Sequence, residues 1–282
     1  MSAPTILQHG PTDGAAILDE AIADEARRKT FKSDQIRVSG IGHCARHQLA
    51  QAMGMVANEI SWDYSEGGHL MEEPVERRLR AIYPQTEAQV SIPTTARGTW
   101  THPDHLVPEL GLALQQKTVK RRAILEYLDG VRDETFGLPK GYQVDQVLLE
   151  WWCWRRAGFC LTQDRRRLNI VPQRYELLYL GRDDFGESRV SIPVAWDAAR
   201  AQALADEFSR RVDLLAWGEL PDKTYPEPQF DCGFVRKWYD WDGAYDQRDS
   251  HCPLFEKCWG RPYEPKYAPS FRTPKKGWSR IQ

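Results

Sequence analysis

Between residues 87 and 119 the hydrophobic pattern changes its period, and this change restricts what the chain can fold into. Upstream the spacing is helical. Residues 13–32 place Ile17, Leu18, Ala21, Ile22 and Ala26 on one stripe, and 44–53 follow as a second helix, with Ser39 ahead of it as N-cap and Gly54 at its end. A third helix begins near residues 67–68. It aligns Met71, Val75, Leu79 and Ile82, with Pro74 either in its first turn or at a kink. Residues 87–92, 99–107 and 112–119 then read as three successive strands, the last two joined by a turn at 108–111. Helical spacing returns over 141–158 and again, as an amphipathic helix, over 195–218. Two strands near 168–180 and 188–193 lie between them, flanking a turn at 183–187. Helices, a strand meander, then helix and more strands predict an α/β domain built on a mixed central sheet.

Composition narrows the class. The chain has 282 residues, 41% of them hydrophobic and 28% charged, and these values fit a folded domain rather than a disordered one. Mean hydropathy is −0.61, and no segment reaches the roughly 18 consecutive apolar residues that span a bilayer. The first residues lack a basic stretch followed by an apolar core, so a cytoplasmic setting is expected. Thirty-eight basic against 40 acidic side chains leave a net charge of −2, so a nucleic-acid surface would have to be a local patch.

The stretch richest in chemistry is Gly98-Thr-Trp-Thr-His-Pro-Asp104 followed by Leu112-Ala-Leu-Gln-Gln-Lys-Thr118. Alternation along a strand puts Gln115 and Lys117 on one face, and the turn at 108–111 lays that strand beside Asp104. An acid, an amide oxygen and an ammonium then meet at one sheet edge. Phosphodiester hydrolysis uses such a set: oxygens for a hard divalent cation, and a positive charge near the attacking water or the phosphate.

These residues resemble the PD-(D/E)XK nuclease superfamily, in its RecB-like exonuclease branch. Pro103-Asp104 stands for the family's "PD", and Gln115-Gln116-Lys117 for its "(D/E)xK". Gly68-His-Leu-Met-Glu72 is similar to its helical ligand motif, and Tyr142-Gln-Val-Asp-Gln146, followed by Trp151, to its glutamine-bearing helix, which lines the DNA path in relatives. The order holds from about residue 36 to 220. The resemblance implies a restriction-endonuclease-like core and a DNA exonuclease of recombination, repair or phage DNA processing. It implies Mg²⁺ or Mn²⁺ held by Glu72, Asp104 and the Gln115 carbonyl. Lys117 would orient the attacking water and offset phosphate charge, and Gln146 would hold the DNA strand in register. A helicase, recombinase or integrase would be a natural partner. Gln115 departs from the pattern, since the family has an acid there. Three explanations stand open: a tolerated variant, an engineered knock-out, or a disabled site in a DNA-end-binding accessory protein. Taken one at a time, Asp104 as a turn cap and Lys117 as a solvated strand residue would be ordinary. The combination with Glu72 and Gln146 favours a site.

Six cysteines in a chain of this size do not suggest a secreted disulfide framework. Cys44 near one end and Cys232, Cys252 and Cys258 near the other bracket the nuclease motifs. They are similar to the four-thiolate 4Fe–4S staple of helicase-associated and CRISPR-adaptation exonucleases. The residues after 221 show little regular periodicity, so a tether from a cluster, or from zinc in its place, would help order them. Cys153 and Cys160 lie on or beside an apolar helix and read as core. His43 and His47 flank Cys44 as alternative zinc ligands or ordinary polar residues, and His102 and His105 bracket Asp104, with His102 within reach of substrate. The expected organisation is an N-terminal helical segment (1–35), a nuclease core (36–220), a cysteine segment (221–261) and a basic, aromatic tail (262–282). Arg27–Lys29 and Arg165–Arg167 read as solvated charge. The tail mixes cations with Tyr263, Tyr267, Phe271 and Trp278, a combination suited to binding single strands or to packing as an arm.

Overall fold

The strand pair expected around residues 99–119 lies inside a five-stranded sheet in the computed structural model, which describes residues 35–55, 62–96, 98–130, 137–221, 238–239, 245–246, 254 and 258, with only the backbone of 62–70, 238–239 and 245–246. The helix expected over 13–32, Arg27–Lys29, Cys232, Cys252 and the 262–282 tail lie outside the described residues.

Five helices are described: α1 (Ala45–Ala52), α2 (Trp62–Ile82), α3 (Arg121–Leu128), α4 (Gly141–Ala157) and α5 (Ala198–Trp217). The strands in chain order are β1 (Glu87–Ala88), β2 (Ile92–Pro93), β3 (Trp100–Thr101), β4 (His105–Val107), β5 (Leu112–Val119), β6 (Cys160–Leu161), β7 (Arg167–Leu168), β8 (Arg174–Gly181), β9 (Arg189–Pro193), β10 (Trp238–Tyr239) and β11 (Tyr245–Asp246). The main sheet has the order β1-β4-β5-β8-β9. Only β5 and β8 run parallel, and every other pairing in it is antiparallel, so the sheet is mixed. The pairs β2–β3, β6–β7 and β10–β11 form separate two-stranded ribbons.

Residue alternation on β5 divides the sheet into two faces. Ala113, Gln115 and Lys117 share a face with Leu106 on β4 and with Tyr175, Leu177 and Tyr179 on β8. Ala113, Leu106 and these three β8 residues belong to the main core, which continues through Val147, Leu148 and Trp154 of α4 and Phe208 of α5. Leu112 and Leu114 point the other way and form a smaller cluster with Val107, Leu178 and, from α2 and just beyond it, Leu79 and Tyr83. The sheet is therefore a middle layer between α4 and α2.

Several expected elements changed shape for identifiable reasons. The strand expected over 99–107 is two short strands, because Pro103 has no N–H to give a ladder and interrupts pairing ahead of Asp104. The strand expected over 87–92 is broken at Gln89, which has φ 48. The turn at 108–111 is a 3₁₀ turn (Pro108–Leu110) ended by Gly111, whose φ of 57 suits a residue without a side chain. Ser39 lies within a 3₁₀ turn (Val38–Gly40) instead of capping α1, whose N-cap is Cys44. Pro74 sits inside α2, which starts earlier than expected. Helix α3 was not expected at all. Its first N–H is capped from far along the chain, Arg121 N donating to Asp183 Oδ1 at 2.6 Å, so no local capping residue announces it.

The segment before α1 is fastened by one buried cation. Arg211 of α5 donates from Nη1 to Gly40 O (3.0 Å) and Gln48 Oε1 (2.7 Å), from Nη2 to His43 O (3.1 Å), and from Nε to Glu207 (2.8 Å). The same segment meets the start of α4 so closely that a Cβ at Gly42 would lie 2.5 Å from Tyr142 Cα.

Candidate active site

Asp104 sits immediately before β4, directly across from Gln115 on β5, and its side chain points to the α4 face. There it is almost fully buried (7% exposed). Its Oδ2 accepts from Gln115 Nε2 (2.6 Å) and from the backbone N–H of Gln116 (2.7 Å). Its Oδ1 accepts from Gln89 Nε2 (3.0 Å), and the same nitrogen donates to Glu72 Oε2 on α2 (3.1 Å). Burial pushes the Asp104 carboxyl up to about 7, with a further push from Glu72, while Lys117 pulls it back down.

Lys117, two positions along β5, is half-buried and donates from Nζ to Gln146 Oε1 of α4 (3.0 Å). The other end of that amide donates to Glu150 Oε1 (3.0 Å), one turn further along α4. Glu150 is the polar centre beneath the site, 1% exposed. It also accepts from Thr101 Oγ1 (3.0 Å) and from the Tyr175 hydroxyl. Burial raises its pKa, and its hydrogen-bond donors and Lys117 oppose that rise. Gln143, one turn before Gln146, accepts from the Tyr179 hydroxyl (2.5 Å). Gln143, Gln146 and Glu150 thus form a polar stripe on a helix otherwise packed by apolar residues.

The residues singled out from sequence therefore converge: Asp104, Gln115, Lys117, Gln146 and Glu72 are joined through hydrogen bonds and charge. Sequence reasoning missed Gln89, Glu150, Thr101 and Tyr175. Gln89 carries no local signal, because its role depends on a left-handed backbone that no glycine marks. Glu150 was visible in principle, as the third member of the 143, 146, 150 stripe at helical spacing in an apolar segment. His102 is exposed. His105 is buried on the opposite face, its Nε2 lying 3.3 Å from Gln116 Oε1.

The donor set suits a hard cation. Gln115 Oε1 is buried without a hydrogen-bond partner, an arrangement that costs free energy unless another group uses the oxygen. With Asp104 and Glu72 nearby, every atom on offer is oxygen, the ligand type of Mg²⁺ and Mn²⁺. Among the described residues, no three His, Cys, Asp or Glu side chains gather as a metal site. The site has two acids with a neutral amide oxygen as its third donor.

The cysteines are less fully described. Cys153 and Cys160 are buried, their thiols pushed up to about 12 by burial, as suits core residues. Cys44 and Cys258 are half-buried. Of the expected surface patches, exposed Arg166 pairs with Glu87 of β1, and exposed Arg167 lies over the half-buried Phe159 ring at 3.9 Å. His43 packs against Tyr142 with ring centroids 4.6 Å apart and the ring planes tilted by 37°. Among the described residues, no helix is long and apolar enough to cross a membrane.

No protein-family description matches the chain, and no curated protein does. Among solved structures, an alkaline exonuclease (LHK-Exo) from Laribacter hongkongensis is similar at 16% identity over 71% of this chain and 93% of that one, with a TM-score of 0.43. The same exonuclease in complex with dAMP is similar at 16% identity over 66% and 90% of the respective chains, with a TM-score of 0.44. Similarity at this level leaves the functional reading to the side chains themselves.

Proposed function

We propose that the chain is a divalent-metal-dependent DNA nuclease of PD-(D/E)XK type, acting as an exonuclease. The observation that supports it most is the meeting of Asp104 and Lys117 on one sheet face beside a buried amide oxygen, Gln115 Oε1, that has no protein partner. Glu72, Asp104 and Gln115 would hold the ion. Such an ion, when bound, lowers the pKa of a water and offsets charge on the scissile phosphate. Lys117 would set its ammonium beside that water or the phosphate oxygen, with its hydrogen bond to Gln146 limiting the directions the ammonium can take. Glu150 fixes which end of the Gln146 amide faces Lys117, because a carboxylate accepts only from the N–H end. Exonucleolytic rather than internal cutting rests on the motif order shared with the RecB-like branch.

One observation favours a second reading. Gln115 donates to Asp104 through Nε2, so a neutral amide contacts the site's central carboxylate where the family places an acid. The chain would then bind DNA ends without cutting them. We further propose that Cys44, Cys232, Cys252 and Cys258 bind a 4Fe–4S cluster, with structural zinc as the alternative. The deciding experiment digests end-labelled single-stranded and duplex DNA with Mn²⁺ or with EDTA. Cutting by the chain as it stands, abolished by Lys117→Ala and by EDTA, is expected. Cutting only after Gln115→Glu would establish the accessory reading, and salt-sensitive DNA binding without cutting by any form would remove the enzyme.

A further inference from the structure

One side-chain nitrogen within hydrogen-bonding distance of both site carboxylates belongs to Gln89, a residue that neither the motif resemblance nor the mechanism above uses. Its Nε2 lies 3.1 Å from Glu72 Oε2 and 3.0 Å from Asp104 Oδ1, so one carboxamide bridges the two acids. The backbone is fixed to suit: Gln89 N donates to Asp104 O at 2.9 Å, and φ is 48, a left-handed conformation rare for a residue with a side chain. Two carboxylates brought together in a buried site repel, and they need positive charge or N–H donors between them. Gln89 supplies donors, while Gln115 Nε2 and Gln116 N cover the far oxygen of Asp104.

We propose that Gln89 is an intramolecular competitor for the divalent ion. Its amide hydrogens occupy Glu72 Oε2 and Asp104 Oδ1, one oxygen of each acid, so an ion held through those two oxygens enters by displacing it. This inference rests on the metal-dependent reading above and adds to it a residue that sets the ion concentration at which the site fills. The competition is weighted toward the amide because the site has only two acids. With the third donor neutral, Coulomb attraction for the ion is weaker than in an all-acid site, while the two N–H bonds to carboxylates are of the stronger, charge-assisted kind.

Calorimetric titration of the full chain with Mn²⁺ tests this, comparing the parent with Gln89→Gly and Gln89→Leu at one pH. Glycine removes the amide and accepts φ 48 without strain, so that variant keeps its fold. Leucine keeps the bulk and removes the N–H donors, and circular dichroism checks both. Losing two hydrogen bonds to carboxylates predicts Mn²⁺ binding about ten- to a hundredfold tighter in both variants. Unchanged or weaker binding in the folded variants overturns the inference, since Gln89 would then be a bystander or a ligand. No Mn²⁺ binding by any form overturns the metal-dependent reading itself, and the inference with it.

Discussion

Replacing Asp104 by asparagine isolates the free energy stored in one buried carboxylate. Its pKa is pushed from 3.8 to about 7 in the folded chain, chiefly by burial. A raised acid pKa means that the folded state holds the proton more tightly than the unfolded state. The resulting stability is fully present below pH 3.8 and is lost as pH rises through about 7. At about pH 8 almost none remains. At about pH 5, two units below the folded value, it amounts to about 2.7 kcal/mol, at about 1.36 kcal/mol per unit. The amide of the Asp104→Asn variant cannot titrate, so its unfolding free energy lacks that contribution at every pH. Urea unfolding of both proteins in EDTA at these two pH values gives a double difference in which the titrating groups that do not interact with Asp104 cancel, leaving Asp104 and its coupling to Lys117, Glu72 and Glu150. The parent should gain about 2–3 kcal/mol more than the variant on going from the higher pH to the lower. The absolute difference at one pH is less informative, because the asparagine N–H₂ must face one of the donors now aimed at the carboxylate, from Gln89, Gln115 or Gln116. Parallel pH dependences would refute the reasoning and place Asp104 in an ordinary, solvated environment.

Other expectations follow from the same contacts. Glu150→Ala strands the donors of Thr101, Gln146 and Tyr175 in the core and should cost about 3–5 kcal/mol by urea unfolding, whereas a cost below about 1 kcal/mol would mean that they find other partners. Arg211→Met keeps the alkyl stem but releases Gly40, His43 and Gln48, and should cost about 2–4 kcal/mol and open the 38–48 segment to proteolysis before the sheet. Equal protection of the two regions would contradict that role. Purified without oxygen, the chain should contain iron and sulfide that Cys252→Ser abolishes; zinc alone would move the thiolates to the alternative assignment.

The layers of this fold were legible because period carries burial. Residues 112–119 form a short run opened by three apolar residues directly after a turn, 141–158 repeat at helical spacing, and the structure has β5 and α4 there. Asp104, Gln115 and Lys117 could be placed together because a tight turn fixes the register of β4 and β5. Pairings across long separations left no local trace. Helix α3 depends on a cap supplied by Asp183, and the hairpin of β6 and β7 is joined to the chain before β2 by the reciprocal backbone hydrogen bonds of Ser91 and Leu161 rather than by any strong alternation of its own. Gln89 shows the limit most plainly. Its neighbours read as continuous strand, yet the chain turns left-handed there to reach two acids, one of them on another element. Glu150 was hidden differently, by hydrophobic company that made its helix look like plain core.

Soaking crystals of the full chain in Mn²⁺ and collecting at the manganese edge tests the central claim most directly. An anomalous peak bonded to carboxylate oxygens of Asp104 and Glu72 and to Gln115 Oε1, with the Gln89 amide turned away, is the predicted result. A peak elsewhere, or none at millimolar Mn²⁺ with Gln115 Oε1 still lacking a partner, would contradict it.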